Sequence, residues 1–359
     1  MKITVNRTEL LTALKAAGKA VGNGNAIPII GSYLFDITKE SATITGGNMS
    51  VFVSVNCNLK SDKAERVCIP AVKLQRIVSA LPEQPLTMTF ANDIVTIKCD
   101  TGRYSIPYQS GTDYPKVDLA DGAGFSLSGG LLPDAIGKTA FAISTDDLRQ
   151  NLAGLHISCT NGLLRIEATD AHVLSTMQIA TESDPFDLII PRTTIPILSG
   201  FELENVDVVY NKNLITFKTG LLVITSRLLD ATFPNVDAVI PRDNPVNVAV
   251  DRLQLLAAVK RVSILADMNE LLKMVVSDGT VTLTCSDVDL SQESEEVVKA
   301  VTTGELTIGL TGSQVATLLG KLEGVTAYIE GSNEKRAILF SDGSEIGTDL
   351  FLVMPMLLC

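Results

Sequence analysis

Residues 5–14, VNRTELLTAL, carry apolar side chains at Val5, Leu10 and Leu14, and the same offsets of five and nine return twice. They recur at Leu127, Leu132 and Ile136, then at Val250, Leu255 and Val259, with starts 122 and 123 residues apart. A second series has offsets of five and eight: Ile69, Leu74, Ile77; Ile190, Ile195, Leu198; and Leu310, Val315, Leu318. Its copies lie 121 and 120 residues apart. A third echo is YPKVD at 114–118, matched by FPNVD at 233–237, 119 residues on. One such match is chance; three series at one period mark an internal repeat. In a chain of 359 residues that period gives three homologous domains of about 120 residues.

Each repeat reads as strand, helix, strands, helix, strands. SATITGG (41–47), VTIKC (95–99), LLRIEAT (163–169), LITFKTG (214–220) and TVTLTCS (280–286) alternate with the period of half-buried strands. Helices are expected over 8–20, 71–80, 132–142, 192–200, 252–263 and 313–322, opening at Thr8 with Glu9, at Asp251 and at Ser313. On a helical wheel, Leu10, Leu14, Ala17 and Val21 share one face, with Thr12, Lys15 and Lys19 opposite. In the second window Leu74, Ile77, Val78 and Leu81 turn inward and Lys73 and Arg76 outward. Pro196 falls inside the fourth window, which it starts late or kinks. DLADGAG (118–124) and PRDNP (241–245) read as the loops between repeats, so the domains are expected at 1–120, 125–241 and 245–359.

The chain has 41 acidic and 29 basic residues, a net charge of -12. A protein that binds nucleic acid over its whole surface is normally basic, so any DNA contact here is local. The six helical windows hold ten Lys/Arg against two Asp/Glu, net +8, leaving -20 for the rest of the chain. Lysine is a good helix former, but Glu is an equally good one and is nearly missing from these windows. The segregation predicts a positive inner surface built from the helices. Hydrophobic residues make up 46% of the chain, enough for a large core. No apolar run nears the roughly 20 residues of a bilayer span, and MKITVNRTELL turns polar too soon for a signal peptide. A soluble, cytoplasmic protein is expected, which leaves the sequons at Asn6 and Asn48 without meaning.

Catalytic chemistry is hard to find. Cys57, Cys68, Cys99, Cys159, Cys285 and Cys359 form no CxxC pair and do not cluster with histidine, so buried, reduced thiols are expected. Gly137-Lys138-Thr139 looks like the end of a phosphate loop, but Leu132 stands where its first glycine is required. GNGNAI, from Gly22, lacks the third glycine of a dinucleotide fingerprint, and GxSxG, HExxH and EF-hand patterns are missing. Asp170 and His172 form an orienter–base pair on paper, yet no nucleophile accompanies them, and the only other histidine, His156, sits in the apolar run GLHISC. A turn or a binding surface is the better reading. No catalytic residue, cofactor or metal is expected.

The threefold repeat with basic helices, IPIIG (27–31), TDAH (169–172), FPNVD (233–237) and VMPM (353–356) together resemble the beta sliding clamps of bacterial DNA polymerase III, over the whole chain. The resemblance implies an α+β fold of three tandem clamp domains. Two chains would close head to tail into a ring-shaped homodimer, with twelve helices lining a central hole and antiparallel sheets outside. It implies a non-catalytic processivity factor that encircles double-stranded DNA without reading its sequence. Such a ring tethers the replicative polymerase, clamp loader subunits and other partners by their short clamp-binding peptides. Scattered phosphate contacts suit that role, because they hold no particular sequence.

By motif position, the resemblance implies a peptide cleft between the second and third domains. Its lining would be Leu152, Thr169, Ala171, His172, Val173, Leu174, Pro234, Val239, Ala337, Leu352, Met354, Pro355, Met356 and Leu357. Thioethers and prolines suit a groove that accepts many partners. The DNA-facing cations would be Lys15, Lys19, Lys73, Arg76, Lys138, Arg149, Arg192, Lys260 and Lys321, with Lys260 at the position of Lys15 in the third repeat. The dimer contact would set Tyr104 and Ile106 against Ile264 and Leu265 of the neighbouring chain. The chain departs from the family at Val173 and Leu357, where basic residues are common, and at Ala171, where glycine is. Gly24 stands where some members carry a DNA-contacting arginine, and Cys359 is an extra terminal residue. The competing reading is a tandem-repeat scaffold that binds proteins without loading on DNA, and such a scaffold has no reason to keep a basic helix face.

Overall fold

A computed structural model describes residues 1–22, 27–181, 183–287, 289–343 and 349–358, so Gly24 and Cys359 lie outside the described residues. The apolar offsets mark one recurring joint, in which a strand runs directly into a helix. Strand Lys2–Asn6 buries Ile3 and Val5 and leads into α1 (Arg7–Gly18), which buries Leu10, Leu14 and Ala17. Strand Val246–Asp251 leads likewise into α5 (Arg252–Val262). The second series marks α2 (Ala71–Ala80) and α6 (Gly312–Lys321), while the middle repeat has α3 (Leu131–Thr139) and α4 (Ile195–Leu198).

The helix starts differ in part from expectation. Asn6, not Thr8, caps α1, its side-chain oxygen accepting from the amides of Thr8 and Glu9 at 2.8 and 3.4 Å. Asp251 caps α5 through the amide of Gln254 at 2.8 Å. Thr311, not Ser313, precedes α6, and it caps without a side-chain bond. Pro196 does delay its helix: residues Arg192–Thr194 form a 3-10 turn and α4 is one turn long with proline in it. The third window ends early, continuing past Thr139 only as the 3-10 turn Ala140–Ala142.

Two arginines recur with the repeat. Arg7 opens α1 and donates to the carbonyls of Val78 and Ser79 at the end of α2, at 3.0 and 2.8 Å. Arg252 opens α5 and donates to Leu319 and Gly324 around the end of α6, at 3.1 and 2.6 Å. Each cation satisfies carbonyls that the helix leaves unpaired and complements its negative end. The middle repeat has Gly129 at this offset.

The described residues form two compact units, 1–133 with 193–228, and 134–192 with 229–359. The first holds a five-stranded and a nine-stranded antiparallel sheet, the second a twelve-stranded one. The middle repeat is shared out because its strands extend neighbouring sheets. Strand Leu222–Arg227 pairs with Val51–Asn58 in the first unit, and Val173–Ala180 pairs with Asp349–Val353 in the second. In the first unit α1 and α2 pack on a core that includes Tyr33, Phe35 and Ile69; in the second α5 and α6 cover Leu272, Leu283 and Phe340. The five described cysteines are separate buried thiols. Among the described residues, no helix is long and apolar enough to cross a membrane.

Candidate functional site

All fourteen cleft positions belong to the second unit. Their centre is the turn between strands Leu163–Thr169 and Val173–Ala180. Asp170 Oδ1 accepts from the amides of His172 and Val173 at 2.8 and 2.7 Å, and the Thr169 hydroxyl donates to the carbonyl of Val173 at 2.6 Å. Asp170 Oδ1 is thereby engaged with backbone, and among the described residues no hydrogen bond joins its carboxylate to the His172 ring. Ala171 is held at φ 79°, a conformation that glycine adopts freely and alanine only at a cost.

The turn is tied to the C-terminal strand. Val173 and Leu174 pair with Val353 and Leu352, and the amide of Met354 donates to the carbonyl of His172 at 2.8 Å. Beneath lies one apolar cluster of Leu174, Ile189, Phe233, Val236, Ala337, Leu339 and Leu352. Five separate stretches of chain thus meet at one floor. Leu152, Thr169 and Val173 are also buried, whereas Ala171, His172, Pro234, Val239, Met354 and Leu357 are exposed. Pro355 and Met356 are half-buried. Met356 turns away from the floor: it bridges to Gly309, and its sulfur accepts from the Thr311 hydroxyl at 3.3 Å.

FPNVD is pinned at both ends by residues that sequence reading missed. Phe233 stacks on the His156 ring, with centroids 4.2 Å apart, and His156 Nδ1 lies 2.8 Å from Glu167 Oε1. Asp187 Oδ2 stands 3.2 Å from the other ring nitrogen. Arg165 grips Asp237 with two bonds of 2.9 and 3.2 Å. That bidentate bond, aided by the positive charge, holds the Asp237 carboxyl below the usual carboxylate range. A signal was present, since LLRIEAT puts Arg165 and Glu167 two apart and hence on one strand face.

The nine cations fare differently. Lys15, Lys73, Arg76 and Lys260 are exposed and Lys321 half-buried, and none of the five forms an ion pair among the described residues. Arg149 and Arg192 pair with Asp146 and Asp147. Lys19 donates to the carbonyl of Gly200 and lies over the Phe201 ring at 4.1 Å. Lys138 is a correction: it is buried at 8% exposure and surrounded by Asp349 (2.8 Å), Asp134 (3.1 Å) and Glu323 (3.7 Å). Helix propensity and charge count could not tell a lysine that faces solvent from one claimed by carboxylates of its own fold.

At the expected dimer contact, Tyr104 lies on strand Arg103–Pro107, an edge of the five-stranded sheet, and is exposed. Ile106 corrects the expectation in part, because its side chain is buried in its own core. Ile264 is exposed and Leu265 half-buried in the 3-10 turn Ser263–Leu265 that follows α5.

Three family models match in tandem. They describe the N-terminal, central and C-terminal domains of the DNA polymerase III beta subunit, at residues 1–118, 126–235 and 237–356. The chain belongs to this family. Its relatives include the beta sliding clamps of Pseudomonas aeruginosa, 27% identical over 99% of this chain and 100% of that protein, and of Caulobacter vibrioides, with the same identity and coverage. The crystal structure of the Pseudomonas aeruginosa subunit matches at a TM-score of 0.95 and 26% identity, covering both chains in full. That of the Bacillus subtilis sliding clamp matches equally well in fold, at 21% identity. The fold is therefore that of the beta sliding clamps, three tandem clamp domains built mostly of antiparallel sheet.

Proposed function

We propose that two copies of this clamp close head to tail into a ring around duplex DNA and carry replication proteins by their short peptides. Family membership makes the chain a DNA sliding clamp, the processivity factor of a bacterial-type replicative polymerase. The observation that carries the DNA-facing reading is the pair Lys15 and Lys260. They occupy the same offset in the first and third repeats and are both exposed without an ion pair among the described residues. In a chain of net charge -12, such cations mark where phosphates are met while the rest of the surface repels them.

The peptide cleft is the turn 169–174 with Pro234 and Met354 above the floor of Leu174, Ala337 and Leu352. An apolar anchor buried there would dominate binding, as central anchors generally do. Ring closure would bring Tyr104 and its strand edge against Ile264 and Leu265 of the second copy. The domains run 1–120, 125–241 and 245–359, the protein is non-catalytic, and it works in the cytoplasm with the polymerase and the clamp loader.

Native mass and DNA retention test this together. The clamp should run at twice 38.3 kDa, and, once loaded, should stay on closed circular DNA and leave when the circle is cut. A species of single-chain mass, or equal loss from circular and linear DNA, would favour a scaffold that does not encircle DNA.

A further inference from the structure

The first unit repeats the backbone of the peptide cleft at the junction of the first and second repeats. Met49 stands at φ 77°, as Ala171 does at 79°. Asn48 Oδ1 accepts from the amides of Ser50 and Val51 at 3.1 and 3.0 Å, as Asp170 does from His172 and Val173. The amide of Arg227 donates to the carbonyl of Ser50 at 2.9 Å, the counterpart of Met354 on His172. Val51 and Phe52 pair with Ser226 and Thr225, as Val173 and Leu174 pair with Val353 and Leu352. YPKVD takes the place of FPNVD, so Lys116 corresponds to Asn235.

The side chains on this frame have changed. A cavity of about 190 Å³ is lined by Ser50, Phe52, Leu214, Thr225, Arg227 and Lys116. By strand register these replace His172, Leu174, Ala337, Leu352 and Met354, together with Asn235. The floor stays apolar at Phe52 and Leu214, the wall keeps one carboxylate, Asp118 at the position of Asp237, and two cations have entered the rim, which leaves it net positive. Arg227 spends its Nε on the carbonyl of Met49 at 3.3 Å and forms no ion pair among the described residues. Lys116 meets Asp118 at 2.6 Å, but both are largely exposed, and such pairs are worth little and exchange readily. Asn213 adds a further polar group to the wall.

We infer that this cavity is a second peptide site, which takes an acidic segment of a partner protein in which Asp or Glu adjoins an apolar residue. The carboxylate meets Arg227 and Lys116 in charge-assisted hydrogen bonds, and the apolar neighbour lies on Phe52 and Leu214. The inference rests on the cleft reading for one thing only, that this backbone frame receives an extended peptide. The two sites then sort partners by chemistry, apolar anchors at Met354 and acidic ones at Arg227.

The test titrates the full chain against fluorescein-labelled Leu-Asp-Leu-Glu-Leu and its Asn/Gln counterpart, read by anisotropy. Saturable binding of the acidic peptide is expected, with at least about tenfold weaker binding of the amide version. Arg227→Glu and, independently, the exposed Lys116→Glu should each weaken it at least about tenfold. His172→Ala with Met354→Ala should leave it unchanged. A labelled polymerase C-terminal peptide in the same variants reads the other cleft, so failure of either site is seen separately. No saturation up to about 1 mM, equal binding of the amide peptide, or indifference to both reversals overturns the proposal. Displacement by an equal concentration of inorganic phosphate also overturns it, leaving a small-anion site.

Discussion

Lys138 Nζ lies 2.8 Å from Asp349 Oδ2, joining α3 to the C-terminal strand that carries Leu352 and, beyond it, Met354. Burial alone would lower the pKa of the ammonium, but its bonds to Asp349 and Asp134 prevail and hold it above the ordinary lysine value. A group raised in this way stabilises fully below its unfolded pKa and loses that contribution only as pH climbs through the folded value. The bridge is therefore intact at neutral pH. Lys138→Met should cost about 1–3 kcal/mol, because it leaves the half-buried Asp349 without its partner. Lys15→Met should change stability by less than about 0.5 kcal/mol. Chemical denaturation of both variants is the measurement, and equal stabilities would sink the bridge as a structural element.

Ala171 at φ 79° invites the reverse substitution. Relief of the left-handed strain, about 1–2 kcal/mol, outweighs the extra chain entropy of glycine, about 0.5–1 kcal/mol. Ala171→Gly should thus stabilise slightly or be neutral, whereas Ala13→Gly inside α1 should destabilise. Thermal melts of the two decide it; a clear loss of stability in the first would mean that the Ala171 methyl packs usefully.

For the cleft, the exposed rim offers a cleaner test than the buried floor. Leu174→Ala would remove buried side-chain atoms and cost about 2–5 kcal/mol of stability, confounding any binding result. His172→Ala with Met354→Ala should leave the melting temperature nearly unchanged and weaken a labelled polymerase C-terminal peptide at least about tenfold. Undiminished anisotropy in that double variant would remove the assignment.

For DNA, the unpaired cations separate from the paired ones. Reversing Lys15, Lys73, Arg76 and Lys260 to Glu should shorten retention on circular DNA and flatten its salt dependence. Reversing Arg149 and Arg192, which already hold Asp146 and Asp147, should do less. Equal effects of the two sets would count against helices as the DNA-facing surface.

For assembly, Ile264→Lys with Leu265→Lys should yield monomers on a sizing column, since apolar contacts tolerate no buried ammonium. Ile106→Ala is expected to act differently. It opens the core of the first unit and lowers the melting temperature whether or not a dimer forms. A double lysine variant that still elutes as a dimer places the interface elsewhere.

Features that depend on spacing along one chain can be read before any fold is known. Val5, Leu10 and Leu14 with their two echoes reveal the threefold repeat, because an apolar stripe and the strand before it are local patterns that any copy must keep. Pro196 announces a shortened helix, and Asp251 a cap, for equally local reasons. FPNVD and TDAH were legible as motifs, but not what holds them. Only the tertiary structure brought Phe233 onto His156 and Asp237 onto Arg165, partners 72 or more residues away along the chain. It also decided which lysines are free. Lys15 and Lys138 look alike in sequence, each on a helix with an apolar face. Asp349, 211 residues downstream, claims one of them and leaves the other to solvent. Charge pairing is set by distance in space, and chain spacing carries no record of it.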